Sequence, residues 1–108
     1  MLPFHPKFRT YAGADPDVRR AADEFNKQAQ QAIEWIEGKI YDANRIGYFQ
    51  FGFDEISEAI GAPRQAVHDA LPHQNRNGIT FWVSDEALSK IRSVVLSRRS
   101  IAGSTSVH

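Results

Sequence analysis

A chain of 108 residues holds one domain with one modest core, and 42% hydrophobic with 11% aromatic residues is the composition of a folded chain, not a disordered one. The absence of cysteine excludes disulfides, thiolate metal sites and cysteine nucleophiles together. Thirteen basic and thirteen acidic residues cancel, so bulk charge does not drive nucleic-acid binding and any such contact needs a local patch. No apolar run is long enough to span a bilayer and the N-terminal residues lack a secretory apolar region, which predicts a cytoplasmic protein with no membrane partner.

Residues 1–14 combine Pro3, Pro6 and Gly13 with Phe4, Phe8 and Tyr11, and read as an extended N-terminal arm. Asp15 followed by Pro16 is a strong helix start: an N-cap acceptor, then proline at the first helical position, then Asp17 favourable to the dipole. The helix is predicted to run from Pro16 to near Asp42, roughly 40 Å at 1.5 Å per residue, longer than a domain of this size needs. Val18, Ala22, Phe25, Ala29, Ala32 or Ile33, Ile36 and Ile40 form a narrow apolar stripe along it. A projecting helix with such a stripe suits a homodimer seam built on Val18, Phe25, Ala29, Ile33 and Ile36. The alternatives are that the stripe packs on the chain's own last helix, or that Gly38 ends the helix early.

Tyr48–Phe51 is predicted as a short strand from its aromatic content between Gly47 and Gly52. The next twenty residues, FDEISEAIGAPRQAVHDALP, read as two short amphipathic helices hinged at Gly61. The first turns Ile56, Ala59 and Ile60 inward and Asp54, Glu55 and Glu58 outward. Gly61 can take the left-handed conformation that ends a helix, and Pro63 suits the first turn of the next one. That second helix buries Ala66, Val67, Ala70 and Leu71 and presents Arg64, Gln65, His68 and Asp69; Pro72 opposes its continuation. The stretch HQNRNG then ends in an Asn-Gly dipeptide that favours tight hairpins, before a strand at Ile79–Val83. Ser84, Asp85 and Glu86 open a last helix whose apolar positions are Ala87, Leu88, Ile91, Val94, Val95 and Leu96 and whose end is expected near Arg98 and Arg99. Residues 100–108 read as a flexible tail.

The pattern around Gly61 resembles the helix-turn-helix of phage-type and bacterial winged-helix regulators, closely over about a fifth of the chain. Gly61 matches the family's turn glycine, Ile60 and Ala62 its flanking apolar pair, and Val67 its buried branched residue. Ser57 stands where the family usually has alanine or glycine, and Pro63 where it usually has serine or threonine. The strand after the helix pair, beside a loop that suits a wing, extends the resemblance over roughly residues 17–96. It implies an α+β, mostly helical winged helix-turn-helix domain over residues 15–99, with a long first helix and a small β-sheet. It also implies a prokaryotic transcriptional regulator that binds duplex DNA as a homodimer on a palindromic site.

In that role Arg64 is placed to meet guanine and Gln65 adenine, with His68 a turn further on and Asp69 able to accept from cytosine. Asn75, Arg76 and Asn77 fall in the wing or at its base, beside His73. Lys90, Arg92, Arg98 and Arg99 are four basic residues with no acidic one from residue 87 onward, and suit phosphate contacts. They equally suit the C-terminal end of a helix dipole, and the face of the second helix equally suits plain solvation. No catalytic group, metal or cofactor is expected: the histidines lack ligand spacing, and no phosphate loop or nucleophile elbow is present. The rival from another class is a winged-helix module for protein contact without DNA, anchored on Trp35, Tyr41 and Trp82.

Overall fold

The computed structural model describes residues 4, 6–11, 13, 15–72 and 77–106, with the backbone alone for 101–106. The order is α1 (Pro16–Ala43), β1 (Gly47–Gly52), α2 (Phe53–Ile60), α3 (Arg64–Ala70), β2 (Gly78–Val83) and α4 (Asp85–Ser106). It is an α+β fold, mostly helical, with one small antiparallel sheet.

α1 begins as its sequence dictates. The Asp15 carboxylate accepts from the Asp17 amide at 2.9 Å, and the Asp15 carbonyl accepts from Arg19 at 3.1 Å. The helix passes through Gly38 without ending and stops at Asn44, which takes φ 50° and donates its amide to the Ile40 carbonyl. Asparagine tolerates this left-handed conformation better than other residues with a side chain.

β1 and β2 pair in register from Gly47 opposite Val83 to Gly52 opposite Gly78. The Asn77–Gly78 dipeptide therefore does not close a tight hairpin: β2 pairs with β1, from the far side of the α2–α3 pair. The period of two sends Phe49, Phe51, Ile79 and Val83 inward, with Phe81 half-buried beside them. Tyr48, Gln50, Thr80 and Trp82 face out.

The core is closed by α1, through Ile36 and Ile40, by Phe53 and Ile56 of α2, by Val67 and Leu71 at α3, and by Leu88, Ile91 and Val95 of α4. A smaller cluster of Phe25, Ala29 and Ala70 seats α3 on the N-terminal half of α1. Ala59, Val94 and Leu96, expected inward, are exposed instead. The buried arcs of α2 and α4 are therefore narrower than the residue types suggest. α4 also continues to Ser106, past the end expected near Arg98 and Arg99.

The stripe of α1 is consumed by this core. Phe25, Ala29, Ile33 and Ile36 are buried against the chain's own elements, and Val18, at 54% exposure, is the only one of the five seam residues left open. The helix is long because it spans two packing sites, α3 at one end and α4 at the other. The seam proposed from its periodicity is thus an intramolecular one.

Candidate nucleic-acid interface

The turn between α2 and α3 is built from three local devices. Gly61 takes φ 68°, where a side chain would be strained. The Ala62 amide donates to the Ser57 carbonyl at 3.1 Å, and the Ser57 hydroxyl donates to the Ala62 carbonyl. Ser57, an apparent mismatch for a close-packed helix pair, therefore ties the turn to the helix before it. Pro63 lies just outside α3, and its carbonyl accepts from Ala66 and Val67 at 3.0 and 3.3 Å.

α3 presses Val67 and Ala70 inward and leaves Arg64, Gln65, His68 and Asp69 on or near the surface. Each of these side chains has a partner in the free protein. The Arg64 Nε lies 2.8 Å from Asp54 Oδ1, and its guanidinium rests 5.7 Å from the Phe53 ring. Gln65 donates its amide to Asp69 Oδ1 at 2.8 Å. His68 places Nδ1 3.2 Å from the same oxygen and packs edge-on against Phe53, with 5.4 Å between ring centroids. Arg9, from the N-terminal arm, reaches Asp69 Oδ2 at 3.9 Å.

Magnitudes decide whether these pairs close the face. Exposed ion pairs contribute about 0.2–1 kcal/mol, whereas a good bidentate contact to a base is worth about 1–3 kcal/mol. With the Arg64 side chain 42% exposed and Asp54 85% exposed, the guanidinium can exchange partners at little cost. His68 is less available, being part-buried between Phe53 and Asp69.

Asp69 is the shared partner of Gln65, His68 and Arg9. Its pKa is lowered, first by the hydrogen bond from His68, then by that from Gln65 and by the charges of His68 and Arg9, against an opposing effect of burial. A carboxyl whose folded-state pKa is depressed adds stability that is complete above the unfolded value and lost as pH falls through the folded one. Thermal melts of Asp69→Asn are expected to lack part of the acid limb that the wild type shows below about pH 4. Identical limbs would show that the cluster carries no such linkage.

The remaining predicted contacts disperse. Asn77 serves the sheet end, where its carbonyl accepts from the Phe53 amide at 2.8 Å; His73, Asn75 and Arg76 lie outside the described residues, as does the body of the expected wing. On α4, Lys90 pairs with Glu86 at 3.0 Å and Arg92 is exposed. Arg98 and Arg99 are bound to α1: Arg98 meets Glu34 at 3.4 Å and Glu37 at 3.0 Å, and Arg99 meets Asp42 at 3.4 Å over the Tyr41 ring. Two of the four basic residues of this stretch, Arg98 and Arg99, thus pair with carboxylates of α1, and Lys90 pairs within α4.

Among the aromatics, Trp35 packs edge-on against Phe51 and Tyr41 lies under Arg99, both part-buried. Trp82 is exposed at 51%, and opposite it stands Tyr48 at 68%, with 5.0 Å between their centroids. Tyr48 was not singled out in the sequence, although a period of two from Phe49 and Phe51 sets it on the outer face. No family model matches the chain, and no curated protein or solved structure matches it either.

Proposed function

We propose that the chain is a winged helix-turn-helix regulator that binds duplex DNA, with α3 as the helix that enters the major groove. What supports this above all is the outward face of α3: Arg64 and Gln65 stand exposed on a helix whose other face is locked against α1 and α2. Arg64 trades Asp54 for guanine O6 and N7, and Gln65 trades Asp69 for adenine N6 and N7. A helix of seven residues reads few base pairs, so two copies about one DNA turn apart on a palindrome complete the site. Their contact lies outside the buried stripe of α1.

The test is a mobility shift on a pool of random duplexes at two salt concentrations, with sequencing of what is retained. The expected result is a palindromic motif whose selection is lost in Arg64→Ala and Gln65→Ala while the variants stay folded. No retention at low salt would sink the proposal.

A second reading is supported by the outward Tyr48–Trp82 pair, since large aromatics on a rigid ribbon commonly anchor protein interfaces. It uses the same fold as a protein-contact module. Loss of self-association or of a protein partner in Trp82→Ala, with no effect of Arg64→Ala, would favour it.

A further inference from the structure

Phe4, Lys7 and Arg9 of the N-terminal arm are each fastened to the body of the domain, Lys7 and Arg9 beside α3. Phe4 packs edge-on against Phe81, with 5.1 Å between centroids. The Lys7 amide donates to the Ala70 carbonyl at 2.7 Å, at the C-terminal end of α3. Two residues on, the Arg9 amide donates to Asn26 Oδ1 at 2.7 Å, and Asn26 Nδ2 donates back to the Arg9 carbonyl at 2.9 Å. The Arg9 guanidinium lies 3.9 Å from the centre of the Phe25 ring and the same distance from Asp69 Oδ2.

This path sets two cations where the outward face of α3 otherwise ends in a carboxylate and in backbone carbonyls. Lys7 is exposed, and the Arg9 side chain is 52% exposed, so donors remain beyond its contact with Asp69. The stacking on Phe25 and the paired bonds to Asn26 hold Arg9 in place, and less entropy is lost when it meets a ligand. A helix of seven residues is about 10 Å long, close to the width of about 12 Å of a major groove. Cations at the far end of such a helix from Arg64 face the opposite groove wall, where the chemistry is phosphate.

We propose that Lys7 and Arg9 are a second, sequence-independent part of the DNA interface: the arm contacts backbone phosphates beside the C-terminal end of α3, and Arg9 also masks Asp69 from those phosphates. This rests on the duplex-DNA reading above. It accounts for an acidic residue on the reading face, and it supplies local positive charge in a chain with none in sum.

The experiment measures binding of a labelled random-sequence duplex pool by anisotropy across a salt series, for wild type and for Lys7→Ala, Arg9→Ala, Arg9→Lys and Arg9→Ala/Asp69→Asn. Folding of each is checked by thermal melt; the Arg9–Asn26 backbone bonds survive every substitution at residue 9. The expected result is a slope of log affinity against log salt shallower by about 0.9 in Lys7→Ala and in Arg9→Ala, and preserved in Arg9→Lys. The double variant is expected to keep the shallower slope. Full recovery in the double variant would overturn phosphate contact by Arg9, leaving it a mask for Asp69 alone. Unchanged slopes in both single variants, with the wild type binding, would overturn the role of the arm while the DNA reading stood. No binding by the wild type would overturn both.

Discussion

Gly78→Ala is expected to cost about 3 kcal/mol or more of stability, in a domain whose total is of the order of 5–15 kcal/mol. A Cβ built on Gly78 would lie 2.2 Å from the Phe51 carbonyl oxygen, with the Phe51 carbonyl carbon and the Gly52 Cα both at 3.0 Å. All three are backbone atoms, so no side-chain rotation relieves the clash and the strands must part. They would part where Gly52 pairs with Gly78 and where the Phe53 amide meets the Asn77 carbonyl, the junction from which α2 departs. Phe53 is fully buried there and carries both His68 and Arg64 against its ring, so the damage reaches the face of α3. At about 4–8 °C per kcal/mol, the melting temperature falls by more than about 12 °C. Gly52→Ala is the matched control: among the described residues its Cβ meets only the Asn77 carbonyl oxygen, at an ordinary 3.6 Å, and should cost less than about 1 kcal/mol. A circular-dichroism melt of Gly78→Ala that overlays the wild type would refute this account of the ribbon.

What the sequence made legible follows from where its physics is local. Asp15–Pro16, Gly61 and Ser84 mark helix boundaries by side-chain chemistry that needs no tertiary information, and the structure uses each of them so; the Ser84 hydroxyl, for instance, accepts from the Ala87 amide at 3.1 Å. The α2–α3 pair was legible for the same reason. The stripe of α1 was visible, but periodicity records only that a face is buried, not what buries it; α2, α3 and α4 do so here. In a similar way the partners of Arg98 and Arg99 were not legible, since Glu37 and Asp42 lie about sixty residues away and charge counting along the chain cannot see them. The pairing of Arg64 with Asp54 across the turn, and the reach of Arg9 to Asp69, depend on tertiary placement alone.

Arg98 offers the sharpest separation of structural from nucleic-acid roles, because the two assign it opposite phenotypes. Its guanidinium faces Glu37, whose side chain is only 6% exposed, and it touches Glu34 as well. Removing one partner of a fully buried pair costs about 3–5 kcal/mol; here Glu37 is buried and Arg98 is its partially exposed partner. Arg98 itself is about a third exposed, so water recovers some of that loss, and Arg98→Ala is expected to cost about 2–3 kcal/mol. Arg99→Ala, breaking a pair with both members more than half exposed, should cost under about 1 kcal/mol. Replacing both members of the pair, as in Arg98→Met/Glu37→Met, is expected to return most of the stability, because an apolar pair of similar volume carries no desolvation penalty. A phosphate-contacting Arg98 would instead leave the melt unchanged and make DNA binding less salt-dependent by about 0.9 in slope. Chemical denaturation of the single and double variants decides between them: destabilisation in Arg98→Ala that the double variant relieves assigns Arg98 to the α1–α4 seam, and an unchanged midpoint in Arg98→Ala would return it to the binding surface.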